Sequence, residues 1–358
     1  MKKIPIMKPF FDEDEAREAA AALASGWVAQ GPRVAEFEQA VAAYEGIRYG
    51  IATTSCTTAL HLCMVACGFG PGDDVLVPSY TFVATANAVA YTGATPVLVE
   101  VNVQTYTIDL NWTEYFIQTG YKEKEGAWYN AKTGNRLAGI VPVNLFGLCA
   151  DIPGVNAMAK RYGLKVVEDS ACALGAGIGD TREGGFGNPS AISFHPRKLR
   201  SHAAALSEVQ RHQNKGYLLP DFDEIGFNYR MTDIQGAIGL AQMRKIDYIS
   251  GRRKELAARY DRLLPQAVPF LKIPFVPDEY THIYQTYACM LDVNYLGLDT
   301  IEDGNRYRNE LMDRLEQNGI ATRQGTHAVH TLGYYRKTYG YQNMDLPVSY
   351  ACDRLSIA

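Results

Sequence analysis

The sequence predicts an α/β fold with a mainly parallel central sheet and a smaller C-terminal α+β region. Short apolar strands alternate with helical segments between residues 75 and 167, and this alternation is typical of βαβ units. The chain has 358 residues and is 47% hydrophobic, so it can bury one large core and a second, smaller one. We therefore expect a large domain over residues 1–245 and a small domain over residues 246–358.

The apolar pattern locates the individual elements. Strands are expected at residues 75–77, 97–100, 139–144 and 166–167, with helices at 84–92 and 156–162 between them. Helices at 13–24 and 34–44 come before this alternation. A further helix is expected at 228–247, at the end of the large domain. The C-terminal region after it is expected to contain helices at 252–264 and 305–318 and strands at 286–291 and 320–323. Within residues 119–137, Thr133-Gly134-Asn135 suits a tight hairpin turn.

The composition argues against several classes of protein. A net charge of −4 without a basic block argues against a nucleic-acid surface. The N-terminal residues lack the apolar region of a signal peptide, and no stretch is long and apolar enough to span a membrane. Seven scattered cysteines without a Cys-x-x-Cys pair predict neither a metal site nor a disulfide framework. We expect a cytoplasmic protein without a nucleic-acid or membrane partner.

Two charged residues that follow predicted strands indicate the chemistry. Asp169 ends the run at residues 164–169, and Lys198 lies just past an apolar strand that breaks at Pro196. Ligands of open α/β sheets bind outside the carboxyl ends of the strands, so both side chains can face one crevice. A carboxylate that keeps a pyridinium nitrogen protonated, opposite a lysine that forms a Schiff base, is what pyridoxal phosphate (PLP) requires. Taken alone, Lys198 would be a solvated loop residue, and Asp169 would be equally well explained as a helix N-cap.

A third motif is suited to binding phosphate. A strand end at residues 51–54 runs through Ser55, Cys56 and Thr57 into a predicted helix. Free backbone N–H groups and the helix dipole attract an anion at such a helix start, and the Ser55 and Thr57 hydroxyls add donors. A plain capped helix start is the alternative.

The order of these motifs resembles the DegT/DnrJ/EryC1/StrS family of fold-type-I PLP enzymes, which are mostly sugar aminotransferases. The resemblance covers nearly the whole chain and is carried by Gly26-Trp27-Val28-Ala29-Gln30-Gly31-Pro32, Pro78-Ser79-Tyr80-Thr81-Phe82, Glu168-Asp169-Ser170-Ala171, Ser193-Phe194-His195-Pro196-Arg197-Lys198 and Gly226-Phe227-Asn228-Tyr229-Arg230-Met231-Thr232-Asp233. Several motifs in one order are more specific than any one of them. The resemblance implies an aminotransferase that converts a keto group of a nucleotide-linked sugar to an amino group, with glutamate as donor, in polysaccharide or antigen biosynthesis.

The resemblance also implies a role for individual residues. Lys198 is expected to bind PLP and to act as general acid and base, and Asp169 to hold the ring nitrogen protonated. The cofactor-binding residues it implies are Cys56, Thr57, Phe82, Asp169, Cys172, Ser193, Lys198 and Asn228. Asn228 is expected to reach the cofactor phosphate of the other subunit, which makes the enzyme a homodimer with shared active sites. Gln30 and His327 are expected substrate contacts.

The chain departs from the family pattern at three places. Lys198 is followed directly by Leu199, where the family has a glycine-rich segment and a further strand. Cys172 stands where the family commonly carries Gln or His. The sequence stops at Ala358, before the family's closing helix, so the small domain is expected to be truncated. The connection at residues 119–137 is longer than the family's usual one, and we expect a surface or dimer-contact hairpin there.

Other functions stay open at this point. A PLP-dependent sugar dehydratase of the same family is one alternative, although those enzymes replace the lysine by histidine. A catalytically inactive dimeric protein with a binding or regulatory role is another, and it is favoured by the missing glycine-rich segment after Lys198. A nicotinamide enzyme is disfavoured because the third glycine of Gly175-Ala176-Gly177-Ile178-Gly179 comes one place too early for a dinucleotide fingerprint.

Overall fold

The computed structural model describes residues 3–194 and 226–358, and its secondary structure alternates strands and helices through the N-terminal part. The strands are β1 Asp73–Pro78, β2 Tyr80–Thr81, β3 Thr95–Val99, β4 Tyr121–Lys124, β5 Ala127–Asn130, β6 Arg136–Ile140, β7 Lys165–Val166, β8 Glu168–Ser170, β9 Gly177–Ile178, β10 Thr181–Arg182, β11 Ser190–Ile192, β12 Leu271–Lys272, β13 Tyr280–Thr281, β14 Cys289–Leu291, β15 His327–Ala328 and β16 Ser356–Ile357. The helices are α1 Glu13–Ala24, α2 Pro32–Glu45, α3 Cys56–Ala66, α4 Ala84–Tyr91, α5 Leu110–Gly120, α6 Ile152–Tyr162, α7 Asp233–Met243, α8 Ile246–Ala267, α9 Ile301–Gln317, α10 Gly333–Tyr339 and α11 Pro347–Leu355.

The central sheet is mainly parallel, which confirms the predicted fold class. Strand β1 pairs in parallel with β3 on one side and with β6 on the other, and β6 pairs in parallel with β7. The layer continues through a parallel bridge between Val143 and Asp169 to the parallel pair β8 and β11. The carboxyl ends of these strands therefore lie along one edge of the layer, where ligands bind in this type of fold.

Helices cover both faces of this sheet. Along β1, Val75 and Val77 pack with α3 and α4 on one face, whereas Leu76 packs with α5 and α6 on the other. This alternation follows from the two-residue period of a strand. Every residue of β1 is buried, as expected for a parallel strand covered on both faces.

The C-terminal part forms an antiparallel sheet of its own. Strand β14 lies between β12 and β16, and helices α9 and α11 pack close to it. The apolar cluster of this region includes Tyr80 and Val143, which follow strands of the main sheet. The predicted boundary at residues 245 and 246 falls between α7 and α8, and the division into two domains stays a prediction.

Long-range pairing changes two of the predicted elements. The helix expected from residue 228 begins at Asp233, because Tyr229 and Arg230 pair with the extended residues Thr53 and Thr54 instead. Gln235 then accepts the backbone N–H of Thr232 at the helix start. The strand expected at 320–323 is reduced to a single bridge between Ile4 and Ile320. In both places a partner distant in sequence determines the backbone conformation.

The connection at residues 119–137 is a hairpin that extends the sheet. Its strands β4 and β5 pair in antiparallel fashion around Glu125 and Gly126, which have φ angles of 53° and 79°. Strand β5 returns to β6 through the predicted turn at Thr133-Gly134-Asn135, where Gly134 has a φ of 78°. The buried carboxylate of Asp74 on β1 accepts hydrogen bonds from Tyr121, Asn130 and Asn135 at 2.7–2.9 Å. These bonds attach the hairpin to the sheet.

Over residues 3–194 and 226–358, none of the helices combines the length and apolar character that a membrane crossing requires.

Candidate active site

Asp169 lies at the carboxyl edge of the parallel layer and is buried, with 4% of its surface exposed. Its backbone joins the bridge to Val143 and the ladder to Ala191, so two neighbouring strands fix its position. Its Oδ1 accepts the backbone N–H of Ala171 at 3.1 Å, and its Oδ2 accepts the hydroxyl of Thr85 at 2.6 Å. A buried carboxylate at this edge can pair with a cationic nitrogen of a ligand.

Thr85 is a member of the site that the sequence reasoning missed. It lies in the first turn of α4, is fully buried, and reaches Asp169 across 84 positions of sequence. Its Oγ1 also lies 3.0 Å from the carbonyl oxygen of Phe82 and 3.1 Å from Oγ1 of Thr81. Only a weak signal in the sequence points to Thr85: it is a hydroxyl residue about one helical turn after Phe82, where the motif ends.

Phe82 and His327 are both neighbours of Thr81. Phe82 follows β2, and 54% of its surface is exposed although Thr85 beside it is buried. His327, on β15, pairs with Thr81 of β2 in antiparallel register, and its side chain is exposed. Its Nδ1 lies 3.4 Å from Nε2 of Gln324. Thr81 and Thr85 therefore connect the backbones of Phe82 and His327 to the carboxylate of Asp169.

The predicted phosphate site lies at the start of α3. Ser55 is the N-cap, and its hydroxyl accepts the backbone N–H of Thr58 at 3.2 Å. Cys56 and Thr57 form the first turn, in which backbone N–H groups lack carbonyl partners within the helix. The Cys56 thiol lies 3.5 Å from the carbonyl oxygen of Ala191, two residues before the buried Ser193. The helix start and the end of β11 are thus neighbours, as the phosphate prediction requires.

Helix α3 also lies near Asp169. Burial raises the pKa of Cys63, on this helix, to about 12, and the charges of Cys67 and Asp169 act in the same direction. Cys63 lies in the second half of α3. At the start of the helix, the Cys56 thiol lies 3.5 Å from the carbonyl oxygen of Ala191, whose ladder partner is Asp169.

Asn228 and Gln30 lie on surface segments that bond to the residues at the starts of α3 and α7. The exposed Asn228 precedes Tyr229, whose carbonyl oxygen accepts the N–H of Thr54 at 2.9 Å, just before α3. The exposed Gln30 follows Ala29, whose carbonyl oxygen accepts the N–H of Asp233 at 2.8 Å. Asp233 in turn accepts the N–H groups of Arg33 and Val34 and holds the start of α2. Asn228 is therefore a surface residue near the start of α3, and Gln30 is a surface residue near the start of α7.

Cys172 is buried in the turn that follows Asp169. Lys198, the expected reactive lysine, lies outside the described residues.

A family model described as the DegT/DnrJ/EryC1/StrS aminotransferase family matches residues 9–204 and 197–356. The chain belongs to this family. The two matched segments share residues 197–204.

Several relatives of this aminotransferase are known by name. This chain is 30% identical over 368 residues to the spore coat polysaccharide biosynthesis protein SpsC of Bacillus subtilis. The match covers 96% of this chain and 88% of the relative. The chain is 32% identical over 369 residues to the GDP-perosamine synthase of Caulobacter vibrioides, covering 98% of this chain and 91% of the relative.

Solved structures of similar proteins share the fold. The structure of S. venezuelae DesV matches with a TM-score of 0.83 at 26% identity, covering 100% of this chain and 92% of that one. The structure of 3-amino-5-hydroxybenzoic acid synthase matches with a TM-score of 0.83 at 22% identity, covering 100% of this chain and 93% of that one. At this identity the match supports the fold alone. The family and these similarities confirm the predicted enzyme class, a PLP-dependent aminotransferase. The roles of the individual site residues stay predictions.

Proposed function

We propose that this aminotransferase converts a keto group of a nucleotide-linked sugar to an amino group, with PLP as cofactor and glutamate as amino donor. The observation that carries the proposal is Asp169, a buried carboxylate at the carboxyl edge of the sheet in a chain of this family. The names of two relatives, a GDP-perosamine synthase and a polysaccharide biosynthesis protein, support the substrate class.

The described residues fit PLP. The cofactor has a ring nitrogen that needs an anionic partner, a flat aromatic face and a phosphate. Asp169 offers a buried carboxylate, and Phe82, whose carbonyl oxygen lies 3.0 Å from Oγ1 of Thr85, offers an exposed aromatic ring. The start of α3 offers N–H donors beside Ala191, two residues before Ser193. The ring nitrogen, the aromatic face and the phosphate of the cofactor thus each have a suitable group among the described residues.

Each residue then has a separate task. PLP, when bound, supplies a protonated ring that withdraws electrons from the reacting carbon. Asp169 holds the proton on the ring nitrogen, and Phe82 covers one face of the ring. Cys56 and Thr57 bind the phosphate through their N–H groups, with Ser193 as a further donor. We assign to Lys198 the proton transfer at the substrate carbon, with Nζ as base and then as acid.

The proposal includes a cytoplasmic homodimer with shared sites. Asn228 is exposed, and the neighbouring Phe227 has 50% of its surface exposed. An exposed aromatic residue beside the predicted asparagine is typical of a surface that another subunit covers. In the dimer, Asn228 of each subunit would reach the phosphate bound by the other.

The reactive lysine can be identified directly. Purified protein with added PLP is expected to show a visible absorption band that disappears with borohydride, and mass spectrometry of the reduced protein should find the label on Lys198. The Lys198→Ala variant should lose the band, whereas Lys165→Ala, at an exposed position on β7, should keep it. Transfer of ¹⁵N from glutamate to nucleotide-linked keto sugars then tests the substrate class.

The outcomes separate the alternatives. A label on another lysine would contradict the assignment of Lys198. Absence of any reducible band would favour an inactive binding protein. A band together with loss of a sugar hydroxyl, rather than gain of nitrogen, would favour a dehydratase.

A further inference from the structure

The contact between Thr85 and Asp169 is short and shielded from solvent. Both side chains are buried, and the hydroxyl oxygen lies 2.6 Å from Oδ2 of the carboxylate. A hydroxyl that donates to a carboxylate at this distance forms a charge-assisted hydrogen bond, which is stronger than a bond between neutral groups. The low polarity of the surroundings strengthens it further.

The neighbours of Thr85 determine where its proton goes. A threonine has one hydroxyl hydrogen, and three acceptors lie within reach of that of Thr85: the Asp169 carboxylate at 2.6 Å, the Phe82 carbonyl at 3.0 Å and the Thr81 hydroxyl oxygen at 3.1 Å. Thr81 can donate its own hydroxyl hydrogen to Oγ1 of Thr85 at 3.1 Å. The nearer, charged acceptor binds the hydrogen more strongly, so Thr85 donates to Asp169.

This arrangement favours one protonation state of Asp169. While Asp169 is ionised, Thr85 donates to it and Thr81 donates to Thr85, so all three groups are bonded. If Asp169 took up a proton, the charge that strengthens this bond would be lost. A hydrogen bond to the charged form of an acid favours that form.

We propose that Thr85 is a positioning residue that keeps Asp169 ionised, so that the proton shared with the cofactor stays on the ring nitrogen. The inference rests on the proposed function, because it assumes that PLP binds with its ring nitrogen at Asp169. Without the hydroxyl, the carboxylate becomes a stronger base and draws the proton away from the nitrogen. A ring that has lost this proton withdraws electrons less well.

The test uses PLP labelled with ¹⁵N in the ring, because the nitrogen chemical shift distinguishes the protonated from the unprotonated ring. The variants are Thr85→Val, which has the same shape without the hydroxyl, and Thr85→Ser, which keeps the hydroxyl. Thr113→Val is the matched control: Thr113 is also fully buried on a helix, and its hydroxyl donates to the carbonyl oxygen of Asp109 at 2.6 Å. Asp169→Asn reports on the carboxylate itself.

We expect the wild type, Thr85→Ser and Thr113→Val to show a protonated nitrogen between about pH 6 and 9. Thr85→Val should shift toward the unprotonated signal in this range, and its kcat should fall roughly 10- to 100-fold, the loss expected for one hydrogen bond to a charged group. The apoproteins of Thr85→Val and Thr113→Val should have similar melting temperatures, which separates this effect from a general loss of packing.

A wild-type nitrogen signal in Thr85→Val, with kcat within about threefold of the wild type, would overturn the inference while leaving the proposed function intact. A Thr85→Ser variant that behaves like Thr85→Val would overturn it too, because the hydroxyl would then not be the active group. If the wild type binds no PLP, or if Asp169→Asn leaves the nitrogen signal unchanged, the proposed function itself fails.

Discussion

Strand β8 carries two consecutive buried acids, Glu168 and Asp169, whose side chains lie on opposite faces of the strand. Asp169 meets a hydroxyl and a backbone N–H at the carboxyl edge of the sheet. Glu168 meets the side-chain amides of Asn188 and Asn144, at 2.9 and 3.5 Å. Burial raises the pKa of Glu168 to about 7, and the two amides only partly oppose this.

Two further acids, Glu45 and Glu183, lie on the Glu168 side of the strand. Burial raises the pKa of Glu45, and the charge of Glu183 raises it further. Burial likewise raises the pKa of Glu183, with the charge of Glu168 adding to it. Within the described part of the chain, Oε2 of Glu45 and Oε1 of Glu183 have no hydrogen-bond partner. On one face of β8, Asp169 thus accepts a hydroxyl and a backbone N–H, whereas the other face holds three carboxyls whose pKa values burial raises.

The largest expected effect of a substitution is on the Asp169 face. Asp169→Asn should lower kcat at least roughly 100-fold, the size of losing one preorganised electrostatic partner, because an amide does not hold a proton on the ring nitrogen. Steady-state kinetics with a saturating amino donor would measure it. The control is Glu168→Gln, which replaces the neighbouring acid by a neutral group of the same shape and should keep kcat within about threefold. Equal losses in both variants would contradict a functional difference between the two faces.

The opposite face should govern stability and its pH dependence. The folded chain keeps the proton of Glu45 to a higher pH than the unfolded chain, so stability is full at low pH and falls as pH rises from about 4.5 toward the raised pKa. Glu45→Gln removes this loss, because the amide stays neutral. The variant should therefore be more stable than the wild type at pH 8.5, by about 1–3 kcal/mol, and should lose this advantage near pH 5.

Urea unfolding at the two pH values measures this difference. The control is Glu36→Gln. Glu36 is an acid on the same helix α2, and its side chain is 49% exposed, so this variant should change the free energy of unfolding by less than about 0.5 kcal/mol at both pH values. The same gain for Glu45→Gln at both pH values would show that the loss of a proton from Glu45 is not the cause.

The smallest effect is expected at Phe82, on the Asp169 face. Phe82→Ala should weaken PLP binding by about 2- to 10-fold, the range for one aromatic stacking contact, with little change in melting temperature because the ring is 54% exposed. A titration of the apoprotein with PLP measures this. Phe11→Ala, at a residue 51% exposed in the N-terminal segment, should leave cofactor affinity unchanged. Unchanged affinity in Phe82→Ala would remove Phe82 from the site.

Local signals in the sequence predicted much of the fold. Helix α1 has the predicted bounds because Asp12 and Glu15 form a capping box at its start. The strands of the parallel layer were recognised as short apolar runs, and Asp169 as an acid at the end of one. The start of α7 was predicted too early, because the pairing of residues 229 and 230 with Thr53 and Thr54 is a long-range interaction.

The same limit applies to the site. Thr85 and Asp169 are 84 positions apart, and their hydrogen bond depends on how α4 packs beside β8. Glu45 and Glu183 appear in the sequence as ordinary surface acids of a helix end and a turn. Only the folded chain shows that both are buried. The relation of Lys198 to Asp169 stays a prediction, because Lys198 lies outside the described residues.

The hairpin of β4 and β5 has a practical use. Asp74 attaches it to the sheet, and its turn at Glu125 and Gly126 is exposed. Strand β5 pairs with β6 at Arg136, near the amino ends of the parallel strands, whereas Asp169 lies at their carboxyl ends. A peptide tag inserted between Glu125 and Gly126 would thus immobilise the enzyme by the end of the sheet opposite Asp169 and leave the carboxyl edge open to soluble molecules.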